Sequence, residues 1–180
     1  MTTTEQTTSI PKTPVGTWSL DPIHSTIGFA VRYAGAGTFR GTFDEFDANL
    51  VDGRLEGVAK VTSVRVDDEN LGGHLLSPDF FDAEQYSELR FVSKSIDRDE
   101  DTVSIQGDLT IRGITHPVEI AGTVTGPLAD AFGRQRMAFD VETTVDRQDY
   151  GLTWNMELPG GGQALGDDVT ITATLAFLQA

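Results

Sequence analysis

WSLDPIHSTIGFAVRY, residues 18–33, is the stretch that decides the fold. From Ser25 onward it alternates. Ser25, Ile27, Phe29, Val31 and Tyr33 fall on one face of a strand, and His24, Thr26, Gly28, Ala30 and Arg32 on the other. One face is apolar and the other small or polar, so the apolar face must be turned toward an enclosed interior. Asp21-Pro22, just before the alternation, supplies the turn chemistry that starts such a strand.

Working outward, residues 38–51 alternate through Phe39, Gly41 and Phe43 and then place Phe46 out of phase, which predicts a bend near Asp44 and Glu45. Residues 54–66 read as one strand in mixed register, followed by an acidic turn at 67–70. Leu71, Leu75 and Leu76 then stand at helical spacing around Gly72-Gly73, which predicts a short helix lying across an open end. Phe80 and Phe81 follow it and point at least one ring inward. From Leu89 the pattern is continuous antiparallel sheet over 89–96, 102–112, 118–125, 136–145 and 169–178, with turns at 97–101 and 113–117. One face of this sheet repeats Val103, Ile105, Leu109 and Ile111, then Met137, Phe139 and Val141, then Ile171, Ala173, Leu175 and Phe177. With the three earlier strands the count is eight, the number that closes a small all-β barrel wide enough for one ligand. The predicted interior comprises Phe29, Val31, Phe43, Leu89, Phe91, Leu109, Ile120, Phe139 and Phe177.

Composition narrows the class. A chain of 180 residues with 38 % hydrophobic content builds one core, so residues 16–180 are assigned to one barrel domain and the Thr-, Gln- and Pro-rich residues 1–15 to a flexible tail. The formal charge of -15, with only 13 Lys and Arg, argues against nucleic acid and anionic membrane surfaces as partners. With no cysteine there is no disulfide, thiolate site or thiol nucleophile. The N-terminal residues have no basic and apolar signal-peptide regions and no apolar run spans a bilayer, so the expectation is a cytoplasmic protein without stable membrane insertion. A homodimer is left open beside a monomer.

A family resemblance runs through the same residues. Trp18, Leu20-Asp21-Pro22, His24-Ser25, Phe29 and Val31-Arg32 resemble the opening motif of the YceI-like family of polyisoprenoid-binding proteins. In order there follow Gly41-Thr42-Phe43 with Phe46, His74-Leu75-Leu76-Ser77 with Asp79-Phe80-Phe81-Asp82, and Leu89-Arg90-Phe91 with Ser93. Gly107-Asp108-Leu109-Thr110-Ile111, Arg147 with Asp149-Tyr150-Gly151, and Gly166-Asp167 with Val169 complete the series. The order and spacing, rather than any single motif, carry the likeness. It implies a lipocalin-like, eight-stranded antiparallel barrel with a short helical lid. It also implies that the barrel binds a polyisoprenoid or similar long-chain lipid, for sequestration, storage or transport, with no cofactor. A filled core and a cavity look the same in this residue pattern, which taken alone favours a packed core; the resemblance implies an apolar tunnel.

The candidate ligand-binding residues are His24, Phe29, Val31, His74, Phe80, Phe81, Phe91, Phe139 and Phe177, with Asp21, Arg32, Arg147 and Asp149 as rim or structural polar groups; the segment Arg147 to Gly151 reads equally as a loop fixed by a structural ion pair and as a head-group contact. Polar side chains face a barrel's interior only at its mouths, so the polar end of a lipid is expected near 21–25 or near the lid at 74–81. An enzyme using His24, Asp149 or Tyr150 as acid or base is the rival reading. It is disfavoured because His24 and Ser25, adjacent on a strand, point to opposite faces and no paired carboxylates stand out. A filled barrel with a stress-response or interaction role is the third. His24, His74 and His116 lie in separate segments without metal-ligand spacing. His116 is expected in a solvated turn, and Gly160-Gly161-Gly162 in a flexible connection, since no helix start follows it.

Overall fold

The structure is a computed structural model that describes residues 14–180; of the expected tail, residues 1–13 lie outside the described residues. The chain forms strands β1 (Thr17–Leu20), β2 (Thr26–Tyr33), β3 (Gly37–Phe43), β4 (Phe46–Val51), β5 (Arg54–Lys60) and β6 (Val64–Arg65). Helix α1 (Glu69–Leu76) comes next, and then β7 (Glu88–Asp99), β8 (Thr102–Ile111), β9 (Ile114–Ala129), β10 (Gln135–Asp146) and β11 (Leu165–Gln179). All eleven belong to one antiparallel sheet. Three pairs, β1 with β2, β3 with β4, and β5 with β6, are single staves interrupted by a turn or bend, which leaves eight staves. The ring closes because β11 pairs with β10 on one side and with both β2 and β1 on the other. Closure removes the open edges that would otherwise template aggregation.

The interruptions have local causes. Between β1 and β2 the Asp21 carboxylate accepts from the Ile23 amide and Pro22 opens the 3-10 turn Pro22–His24. The Ser25 hydroxyl then donates to the Asp21 carbonyl and accepts from the Ala176 amide, so the bent stave stays bonded to β11. The bend near Asp44 and Glu45 falls where the out-of-phase Phe46 places it, between β3 and β4.

Two sequence expectations are corrected here. Residues 54–66 are not one strand: the 3-10 turn Val61–Ser63, with Val61 buried, breaks the stave, and the Ser63 carbonyl accepts from the Asp44 amide of the neighbouring bend. The turn expected at 113–117 is only two residues long, Arg112 and Gly113, both at positive φ, so β9 begins at Ile114 and His116 lies in the strand opposite Leu109.

The inward faces build two clusters. At one end Trp18, Leu50, Ile96, Val103, Val124, Met137, Phe139 and Phe177 form a packed floor. At the other, Leu75, Phe80, Ile111, Tyr150 and Leu152 pack beneath α1 and the connection between β10 and β11. α1 is capped by the Asp68 side chain, which accepts from the Leu71 amide, and Leu75 is its buried residue.

Candidate functional site

Between floor and lid lies an apolar cavity of about 510 Å³, inside the ~300–1,000 Å³ range of small-molecule sites. Its wall is drawn from nearly every stave: Ile27, Phe29 and Val31 from β2, Leu89 and Phe91 from β7, Leu109 from β8, Ile120 from β9. The lid adds Leu75, Phe80 and Phe81, and the β10–β11 connection adds Leu152, Trp154 and Met156. Tyr33, Leu71 and Met156 line the cavity and are also exposed, which marks the mouth at the lid end.

The lumen stays open because of two glycines. A Cβ on Gly41 would stand 2.5 Å from the Phe29 ring, and one on Gly107 would stand 2.5 Å from the Phe91 ring. Each ring therefore lies against the wall over bare backbone instead of projecting across the lumen, an arrangement in which aromatics cover strand glycines. Phe29 continues into an aromatic series, with ring centroids 5.7 Å from Phe43 and, from there, 5.9 Å from Phe81. Near the mouth His74, Phe80 and Trp154 form a second group, with His74 edge-on to both rings and its Nε2 3.0 Å from Asp79 Oδ2.

Of the candidate ligand residues, the structure brings Phe29, Val31, His74, Phe80, Phe81 and Phe91 together around the cavity. Phe139 and Phe177 it does not: both belong to the floor, edge-on to one another at 5.9 Å, beneath the lumen rather than along it. Alternation correctly turned them inward, but a closed barrel end is filled with side chains of the same type. Residues 21–25 are likewise not at the mouth. Leu20 pairs with Phe177, so this segment lies beside the floor, and His24 is exposed to solvent with Nδ1 2.7 Å from Asp21 Oδ2. Arg32 and Asp149 are exposed and outside the cavity wall; Arg32 donates to the Gly35 carbonyl.

Arg147 is buried and lines the cavity. Its Nε donates to the Gly166 carbonyl, and its Nη1 to the carbonyls of Leu152 at 2.6 Å and Trp154 at 2.8 Å, which fixes the connection that walls the mouth. Gly151, at φ 75°, makes the left-handed step after the 3-10 turn Arg147–Tyr150. His116 Nε2 donates to the Asp149 carbonyl, 2.9 Å away, and its ring meets Tyr150 edge-on.

Three features escaped the sequence reading. Leu152, Trp154 and Met156 alternate like a strand, the available sign that this connection is a wall. Arg136 gave no sign, because its partners are distant in sequence: Nη1 donates to Asp21 Oδ2 at 2.7 Å and Nε to Asp130 Oδ2 at 2.9 Å. Arg136, followed by His24, holds the buried Asp21 carboxyl down to about 2 against the opposing effect of burial. Tyr150 was considered only as an acid or base; buried, its hydroxyl is pushed up to about 12, first by desolvation and then by the Asp149 charge, so it is a proton-bearing donor at neutral pH.

Comparison with known proteins gives a consistent result. The YceI-like domain model matches residues 18–177. A UPF0312 protein of Staphylococcus epidermidis is 32 % identical over 172 residues, covering 89 % of this chain and 96 % of that protein. A UPF0312 protein of Staphylococcus aureus is 31 % identical over the same span. Among solved structures, BcnA of Burkholderia cenocepacia superposes with a TM-score of 0.74 at 22 % identity, covering 87 % of this chain and 98 % of that one. A polyisoprenoid binding domain from Saccharophagus degradans, implicated in plant cell wall breakdown, superposes with a TM-score of 0.72 at 16 % identity, covering 91 % and 98 %.

Proposed function

The chain belongs to the YceI-like family, and from that premise we propose that its barrel binds a polyisoprenoid or similar long-chain lipid, sequestering it for storage or transport. The observation that carries this reading is the apolar cavity of about 510 Å³ running from the packed floor to a mouth rimmed by Tyr33, Leu71 and Met156. A long hydrocarbon chain gains roughly 0.8 kcal/mol for each CH2 removed from water, so such a lumen binds tightly without a dense polar site. The aromatic series Phe29, Phe43 and Phe81 offers flat surfaces for a branched, unsaturated chain. The Saccharophagus degradans domain, with the same fold, is described as polyisoprenoid binding, which supports this class of ligand here. Binding is favoured over catalysis because the hydroxyl of Ser25 is engaged by the Asp21 carbonyl and the Ala176 amide, and His24 by Asp21, outside the cavity wall.

Native mass spectrometry of the purified protein, before and after organic extraction, tests the reading. A bound lipid that extraction removes, and that a long-chain prenol replaces on titration, is the expected outcome. A single ligand-free mass in both samples, with no uptake of the prenol, would refute it in favour of a barrel that binds no lipid.

A further inference from the structure

Two buried donors in the cavity-lining residues make no hydrogen bond among the described residues. Arg147 is 4 % exposed, and with Nε and Nη1 committed to three carbonyls its Nη2 has no hydrogen-bond partner among the described residues; Asp167 Oδ1, on an exposed side chain, is 3.5 Å away. Tyr150 is 1 % exposed, and its hydroxyl is likewise without a partner among the described residues. Leaving a buried donor unsatisfied is costly, and folded proteins leave few of them. Neither group is free to turn away. Three backbone acceptors hold the guanidinium, and Tyr150 is wedged in the upper cluster with its ring against His116.

Resting on the lipid-binding reading, we propose that Arg147 Nη2 and the Tyr150 hydroxyl receive an acceptor oxygen at the polar end of the ligand. The chain is thereby oriented, with its head at the lid end and its tail toward the floor of Phe139 and Phe177. The required chemistry is an oxygen with free lone pairs, on an alcohol or carbonyl or on a phosphate. Both donor atoms are themselves covered, so the oxygen reaches them as the apolar side chains of the wall give way to it. A plain hydrocarbon fills the lumen equally well but leaves both donors unmet. This assigns head recognition to the Arg-x-Asp-Tyr-Gly segment at 147–151 and away from His24.

The test is Tyr150→Phe, which removes the hydroxyl and keeps the ring, while Arg147 is left intact because the mouth connection depends on it. Three probes of equal chain length are titrated into delipidated protein: a tetraprenol, its monophosphate and the corresponding hydrocarbon. The expected result is tighter binding of the oxygenated probes by the unaltered protein, and a loss of about five- to tenfold for them alone in the variant. Preference for the monophosphate over the alcohol identifies an anionic head, and the reverse a neutral one; either supports the proposal. Unchanged affinity for all three probes together with a raised Tm would overturn it, since the hydroxyl would then be only an unsatisfied group. An equal loss for all three, hydrocarbon included, would overturn it as well. Failure of every probe to bind the unaltered protein would bring down the lipid-binding reading first and this inference with it.

Discussion

Asp21 is nearly enclosed between Arg136 and His24, and it caps the turn that bends the first stave. Its carboxyl titrates at about 2 when folded and at 3.8 in the reference state, so folding favours the charged form. The stability this contributes is complete above pH 3.8 and is lost as pH falls toward 2. Asp21→Asn is expected to lower stability at neutral pH by about 1–3 kcal/mol, leaving Arg136 short of a charged partner. Chemical denaturation of the two proteins at several pH values checks this: the gap between them should narrow as acid protonates Asp21 in the unaltered protein. His24→Ala, by contrast, removes an exposed imidazole and leaves the buried Asp21 paired with Arg136, so it is expected to change stability by less than about 1 kcal/mol and to leave lipid affinity unmoved in the same titrations. The sequence pointed to His24 and missed Arg136 for one reason. Nearness along the chain is visible, whereas the Asp21 to Arg136 contact spans 115 residues.

At the scale of the element, the alternating faces were legible almost throughout, and the depth of each residue along the barrel was not. Period-two alternation separates in from out; it says nothing about whether an inward phenylalanine joins the lumen, as Phe91 does, or the floor, as Phe177 does. The glycines beneath the rings make a sharper test of how the lumen is kept open. Gly41→Val is expected to lift Phe29 off the wall and narrow the cavity, reducing uptake of a long prenol about tenfold or more with a smaller effect on Tm, because the ring end can swing inward. Gly107→Ala meets both the Phe91 ring and the Val92 carbonyl at 2.5 Å, and backbone cannot swing. It is expected to destabilise the fold by about 1–3 kcal/mol, read from denaturant midpoints. Only Gly160 to Gly162 stand out in this part of the sequence, as a flexible connection; the alternation of Leu152, Trp154 and Met156 before them is what walls the mouth.

For the molecule as a whole, eight staves and one lid helix could be counted from hydrophobic periodicity, and the order of motifs pointed to the family. Closure was expected from the count of eight staves; which residues meet at the seam was not legible, because it joins residues 18–20 to 177–179, and nothing in either segment names the other. The asymmetry between floor and lid predicts uneven stability. Amide exchange should be slowest in the floor portions of β8, β10 and β11 and fastest in α1 and residues 151–164, and the ligand should slow the latter most. Phe177→Ala should remove about 3–5 kcal/mol, measured by denaturant unfolding, since this fully buried ring plugs the end of the barrel. The seam also bears on how the molecule is made. β11 follows the barrel's other strands in chain order, and it carries both the floor plug and the bonds that finish the ring. While it is still within the ribosome, the emerging chain can form only an uncovered trough with a greasy lining and two raw edges. Synthesis thus passes through a stage at which the surface later reserved for a lipid is open along its length to chaperones, to neighbouring nascent chains and to any lipid already present.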